Sequence, residues 1–163
     1  LRGGFPFMNE GYFTTVHGFV RMLLLEYDFE EAYEKIAVHM YPLYASANGR
    51  KVNELNIDEL YRLGQFLYKL DEDDLLVTSC VSIAVTIQAI LFSGGYDSDL
   101  IIGVKKIDHK LFSHAWVQLK SGKKIDPNNK NEDLKVLQTY NMNKYTERWV
   151  LSRYENLDCN ARK

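Results

Sequence analysis

The longest apolar stretch of the chain, Val81 to Phe92, is broken only by Ser82, Thr86 and Gln88, and it separates two kinds of pattern. Before it, apolar residues recur at helical spacing; after it, they alternate. Thr78 or Ser79 can cap a helix running from Cys80 to Ser93, and Gly94-Gly95 ends it. A segment apolar on every side is buried, so the other elements must wrap around it. It falls short of the roughly 18 residues that a membrane span needs.

The first half reads as helices. Val16, Phe19, Val20, Leu23, Leu24 and Tyr27 form one apolar stripe. Phe29, Tyr33, Ile36, Ala37 and Met40 form a second, which Pro42 is expected to close. Ser46 to Lys51 carries Asn48-Gly49 and no periodicity, a loop signal. Asn56 with Glu59 resembles a capping box and opens a third stripe of Leu60, Leu63, Leu67 and Leu70. The acidic run Asp71 to Asp74 reads as a solvated link.

Beyond Gly95, Leu100, Ile102 and Val104 alternate, Phe112 to Leu119 alternates again, and Lys124-Ile125-Asp126 makes a short third run. Turns at Asp108-His109-Lys110 and near Ser121-Gly122 would join them into an antiparallel meander. The tail, with Leu134, Val136 and Leu137, reads as helix and loop. The expected fold class is α+β: a helical N-terminal half, then a cysteine-bearing helix packed on a small antiparallel sheet. By residue, 1–7 are an arm or a fusion scar, since Leu1-Arg2-Gly3-Gly4 resembles the tail of ubiquitin. Residues 8–58 are a helical segment and 59–163 the core with its tail, all in one compact domain.

Composition excludes several classes. With 46% hydrophobic and 26% charged residues the chain is an ordinary globular mixture. A net charge of -2 gives no reason to expect nucleic acid or an anionic membrane as a partner. No apolar region ends in a small-residue cleavage site, so the expected location is cytoplasmic. Two cysteines, Cys80 and Cys159, make neither a disulfide scaffold nor a zinc site.

Cys80 stands where the apolar helix starts. There the unpaired N–H groups and the helix dipole favour a thiolate, the nucleophilic form of cysteine. A lone cysteine in front of an apolar helix is more often core filler than a nucleophile, so its partners decide. His114 lies in the alternating run Phe112 to Val117, and Asp126 lies in Ile125-Asp126-Pro127-Asn128. Alone, the first is an ordinary half-buried strand histidine and the second a plain turn signal. Together, two strands joined by a turn can set the carboxylate beside the imidazole and fix its tautomer. A two-residue turn at Ser121-Gly122 would place Asp126 opposite Val117, on the wrong face. Direct pairing of His114 with Asp126 needs a wider loop centred near Lys120, or a bulge. Trp116, on the His114 face, either walls the site or packs the core, and His17, His39 and His109 are structural or exposed.

These residues resemble a known family. A cysteine opening a helix, then Leu100-Ile101-Ile102-Gly103-Val104, Ser113-His114-Ala115-Trp116-Val117, Gly122 and Ile125-Asp126, is similar to the lasso-peptide maturation proteases of the transglutaminase-like superfamily. The likeness covers roughly residues 60 to 128. It departs after the cysteine, where Val81-Ser82-Ile83-Ala84 replaces the family's Leu-Pro and polar residue. The resemblance implies that Cys80 is the nucleophile, His114 the general base and acid, and Asp126 the orienting carboxylate, with no metal or cofactor. It implies a bacterial leader peptidase whose substrate is the leader of a ribosomally made precursor peptide. The helical N-terminus lacks strands for a fused leader-binding domain. The implied partners are therefore a separate leader-recognition protein and an ATP-dependent macrolactam cyclase. A crosslinking or deamidating enzyme, or a catalytically inactive scaffold that binds leader or cyclase, are the competing expectations.

Overall fold

A computed structural model describes residues 10–47 and 56–150. The expectations for residues 1–7, for the Asn48-Gly49 loop and for Cys159 lie outside the described residues. Three helices come first: α1 (Glu10–Glu26), α2 (Phe29–Ala47) and α3 (Ile57–Glu72). Helix α4 (Cys80–Ser93) follows, then strands β1 (Ser98–Ile107), β2 (Lys110–Leu119), β3 (Lys124–Ile125) and β4 (Lys135–Tyr140). Residues 142–150 are helical again. The α+β architecture matches the sequence expectation.

Helix α4 is the centre of the molecule. Ser82 and every residue from Ile83 to Phe92 are buried. Phe13, Val16 and Val20 of α1, Tyr33 and Ile36 of α2, and Leu60, Leu63 and Leu67 of α3 supply the surrounding apolar core. Leu100, Ala115, Val117 and Ile125 of the sheet belong to the same core. Such burial is the main driving force of folding, at about 1.5–3 kcal/mol for each large apolar side chain. Gln88 breaks the apolar pattern for a reason. Its Oε1 accepts from Tyr33 Oη (2.8 Å), and its Nε2 donates to the carbonyls of Ser98 (3.0 Å) and Tyr140 (3.2 Å). One buried amide thus ties α2, α4, β1 and β4 together.

Two helix expectations need correction. Helix α2 does not stop at Pro42 but runs through it to Ala47. Proline removes one donor and disfavours a helix interior, yet packing overrides it here. The Tyr44 ring stacks on Phe92 of α4 with centroids 4.3 Å apart, and Ala47 is buried. At α3 only half of the capping box forms: Asn56 Oδ1 accepts from the Glu59 N–H (3.1 Å). The Glu59 carboxylate turns to Arg62 instead, at 2.6 Å.

The sheet order is β3-β2-β1-β4, all neighbours antiparallel. Asp108 and His109 both have positive φ (48° and 65°), the two-residue hairpin geometry that follows the strand twist. The tail expectation of helix and loop holds for residues 142–150 and fails at Lys135–Tyr140, a strand on the far edge paired with β1. Val136 and Leu137 are exposed, so no apolar face marked this strand in the sequence. Its pairing comes from backbone groups of β1, with a bulge between Ile102 and Gly103.

Candidate active site

Cys80 is the first residue of α4, and that start is firmly built. Ser79 Oγ accepts from the Ser82 N–H (3.0 Å), while Ser82 Oγ accepts from the Ser79 N–H (2.9 Å). This reciprocal capping box fixes the backbone on both sides of Cys80. Ser82 Oγ is also bonded to Nε2 of His17, a fully buried histidine of α1, at 2.9 Å.

His114 is presented by β2, which packs on α4. Its ring lies between those of Phe112 and Trp116, two residues away on either side along the same strand face, with centroids 6.4 and 6.3 Å apart. Trp116 is 2% exposed and forms the wall beside the imidazole. The indole crosses β1 at Gly103, where an added Cβ would lie 2.9 Å from the ring. His39 bonds the Lys35 carbonyl at 2.7 Å, and His109 sits in the β1–β2 turn.

Asp126 directly follows β3. Val117 faces Ile125 and Gln118 faces Lys124. The connecting loop is Lys120 to Gly122, with Gly122 at φ 90°. The Leu119 carbonyl accepts from Gly122, and Leu119 donates to the Lys123 carbonyl. This three-residue hairpin is one residue longer than a tight turn, and it carries Asp126 across to the His114 face. The expected direct pairing of His114 with Asp126 is corrected to a diagonal one, since continuing the register sets Asp126 opposite Trp116. A long enough side-chain pair bridges that diagonal: Nε2 of His114 meets Oδ1 of Asp126 at 2.8 Å.

The other carboxylate oxygen is held just as firmly. Oδ2 of Asp126 accepts from the Lys130 N–H (2.8 Å) and from Nδ2 of Asn131 (2.9 Å). Helix α3 clamps the same loop from outside. Gly64 lies so close to Pro127 that an added Cβ would fall 2.3 Å from the ring's Cγ. Tyr61 Oη donates to Asn129 Oδ1 at 2.5 Å, and the Tyr68 hydroxyl lies beside Asn128. None of these supports was singled out from the sequence. Gly64 alone carried a readable signal, because a glycine inside a helix stripe marks a close approach.

The electrostatics of the three groups are coupled. Burial pushes the Cys80 thiol up, but hydrogen bonds from His114, Ala115 N–H and Val81 N–H and the charge on His114 outweigh it, so it ends lowered. Burial pushes His114 down, yet bonds to Asp126 and Cys80 and their charges raise it to about 9. Asp126 is pushed up by burial and brought below the usual carboxylate range by His114, Asn131 and Lys130. With Nε2 of His114 engaged by Asp126, Nδ1 is the nitrogen left for the thiol. Near neutral pH the arrangement favours a thiolate facing an imidazolium, the reactive state of a cysteine nucleophile. Burial also raises the Tyr68 hydroxyl, and the charges of Cys80 and Asp126 add to the effect, so this tyrosine belongs to the same electrostatic neighbourhood.

A cysteine at a helix start, a strand histidine and a carboxylate held behind it are the groups that nucleophilic catalysis by a thiolate requires. The family model of the transglutaminase-like superfamily matches residues 23–139, a span running from α1 into β4 that includes all three residues. The chain belongs to that superfamily, in which cysteine-protease-like catalysis is typical. No curated protein and no solved structure gives a match. Among the described residues, no helix is long and apolar enough to cross a membrane.

Proposed function

We propose that this chain is a cysteine peptidase that removes the leader from a lasso-peptide precursor. Cys80 serves as nucleophile, His114 as general acid and base, and Asp126 as the orienting carboxylate. The observation that carries the reading is the buried hydrogen bond of Asp126 to His114, beside a Cys80 thiol that His114 lowers at a helix start.

In this reading the Cys80 thiolate attacks the scissile carbonyl. The N–H of Cys80, in the first turn of α4, faces the developing oxyanion. His114 gives its proton to the departing amine, the C–N bond breaks, and the leader is left as a thioester on Cys80. Water, deprotonated by His114, frees the leader acid and restores the thiolate–imidazolium pair. Asp126 keeps Nε2 of His114 protonated and Nδ1 turned to sulfur throughout. Trp116 walls the imidazole from behind. The proposed partners are the precursor's leader, a separate leader-recognition protein and an ATP-dependent macrolactam cyclase. The proposed location is the cytoplasm.

The test is incubation with lasso-peptide precursors that carry their leaders, with and without a leader-recognition protein, read by mass spectrometry beside Cys80→Ala. Leader release that disappears in Cys80→Ala is the expected result. An isopeptide product with added amine would replace the peptidase with a crosslinking enzyme. A folded protein that leaves every mixture unchanged would point to a scaffold.

A further inference from the structure

The triad uses the sheet side of the α4 start. The other side opens into a groove of about 370 Å³ between the end of α1, the start of α2 and the segment leading into Cys80. Leu24, Leu25, Phe29, Val77 and Val81 supply its apolar walls. Ser79 and Val81, the chain neighbours of Cys80, both line it, so the groove begins one residue from the nucleophile on either side. Leu25 is 71% exposed and Val77 57% exposed, and Met22, on the same turn of α1, is 56% exposed. Large apolar side chains gathered in the open beside a reactive group mark a binding surface rather than scattered surface residues.

The groove has one charged lining residue, Arg21. Among the described residues Arg21 makes no hydrogen bond or ion pair, and its one evident electrostatic neighbour is the buried His17, which it does not neutralise. A guanidinium at the rim of an apolar groove is suited to a carboxylate carried next to an apolar side chain.

Resting on the peptidase reading above, we infer that this groove is a substrate subsite. Its occupant is an extended stretch of the polypeptide substrate within a few residues of the scissile bond. That stretch has a large apolar side chain against Leu24, Leu25, Phe29 and Val77, and an acidic residue against Arg21. Short-range specificity then comes from this chain's own groove, whatever a recognition protein adds by holding the leader farther away.

Thiol-directed peptide probes test the idea without the native precursor. Two series are needed: peptidyl chloromethyl ketones, which present residues on the acyl side of the thiol, and N-iodoacetyl peptides, which present them on the other side. Each series pairs a Leu/Glu peptide with a Gly/Lys peptide. The rate of Cys80 labelling, located by peptide mapping, is divided by the same variant's rate with iodoacetamide, so changes in the thiol itself cancel. In at least one series the Leu/Glu probe is expected to react about tenfold or more faster, the worth of one buried leucine side chain. Arg21→Glu should turn the preference towards Lys, and Leu25→Asp or Val77→Asp, at exposed positions that leave the core untouched, should erase the apolar part. Equal ratios in both series, or ratios unmoved by Arg21→Glu, overturn the groove assignment while leaving the triad standing. A Cys80 no faster with iodoacetamide than free glutathione overturns the nucleophile reading, and the groove falls with it.

Discussion

Asp126→Asn is the most informative single change, because it keeps the shape of the side chain and removes its charge. In the native protein both oxygens are engaged: Oδ1 with Nε2 of His114 at 2.8 Å, Oδ2 with the Lys130 N–H and the Asn131 amide at 2.8 and 2.9 Å. An amide has one acceptor oxygen. Turned to His114, it sets its NH₂ against two donors. Turned to the loop, it presents N–H to the imidazole and drives the ring proton to Nδ1, so that Nδ1 can no longer accept the proton of the Cys80 thiol. Either orientation leaves a buried donor unsatisfied, at a cost of about 1–3 kcal/mol in stability. The charge matters separately. The carboxylate is among the groups that hold His114 up at about 9, and without it the imidazolium weakens by about one pH unit or more, about 1.4 kcal/mol for each unit. Because imidazole and thiol titrate as a pair, the thiolate edge of Cys80 moves back up towards the ordinary thiol value. The assay is the rate of Cys80 alkylation by iodoacetamide as a function of pH, beside a denaturant melt. A folded Asp126→Asn protein whose alkylation edge sits at the wild-type pH would refute the claim that Asp126 sustains the ion pair.

Peptide cleavage should follow a bell against pH. It is lost on the acid side as the Cys80 thiolate takes up a proton, and on the basic side as His114 gives up its proton near 9; a kcat/KM profile reads both limbs. His17 is held neutral by burial and by the charge of Arg21, at about 4 against an ordinary 6.5. Its depressed value means that stability present above 6.5 is lost as pH falls through about 4, by about 3 kcal/mol. Thermal melts in that window should show the loss, and His17→Gln should flatten it. His114 acts with the opposite sign: its contribution is full below 6.5 and fades as pH rises through about 9. Gly64→Ala drives a methyl into Pro127, so a loss of about 1–3 kcal/mol with reduced cleavage is expected; a melt and rate equal to wild type would mean that α3 does not hold the Asp126 loop. Ser79→Ala removes the N-cap of α4 and should cost about 1 kcal/mol while slowing Cys80 alkylation; an unchanged alkylation rate would separate the cap from the thiol.

Local pattern carried much of this protein. The stripes of α1, α2 and α3, the all-round apolar α4 and the alternation of β1 and β2 were readable because each element has its own period and buries its own face. Cys80 at a helix start, His114 on a strand and Asp126 at a strand end were readable for the same reason: each position is a local property. What the tertiary structure decided is everything that depends on two distant segments meeting. Strand β4 has no inward apolar face, so only the open backbone edge of β1 makes it a strand. Helix α2 passes through Pro42 because Tyr44 finds Phe92 on another helix. The hairpin register differs by one residue between two acceptable turns, and that one residue chooses which face Asp126 occupies. The His114–Asp126 bond therefore rests on a loop conformation and on the grip of α3 on Pro127, Asn128 and Asn129. Residue types and local order are written along the chain; the distances that turn them into a site arise only when the segments pack.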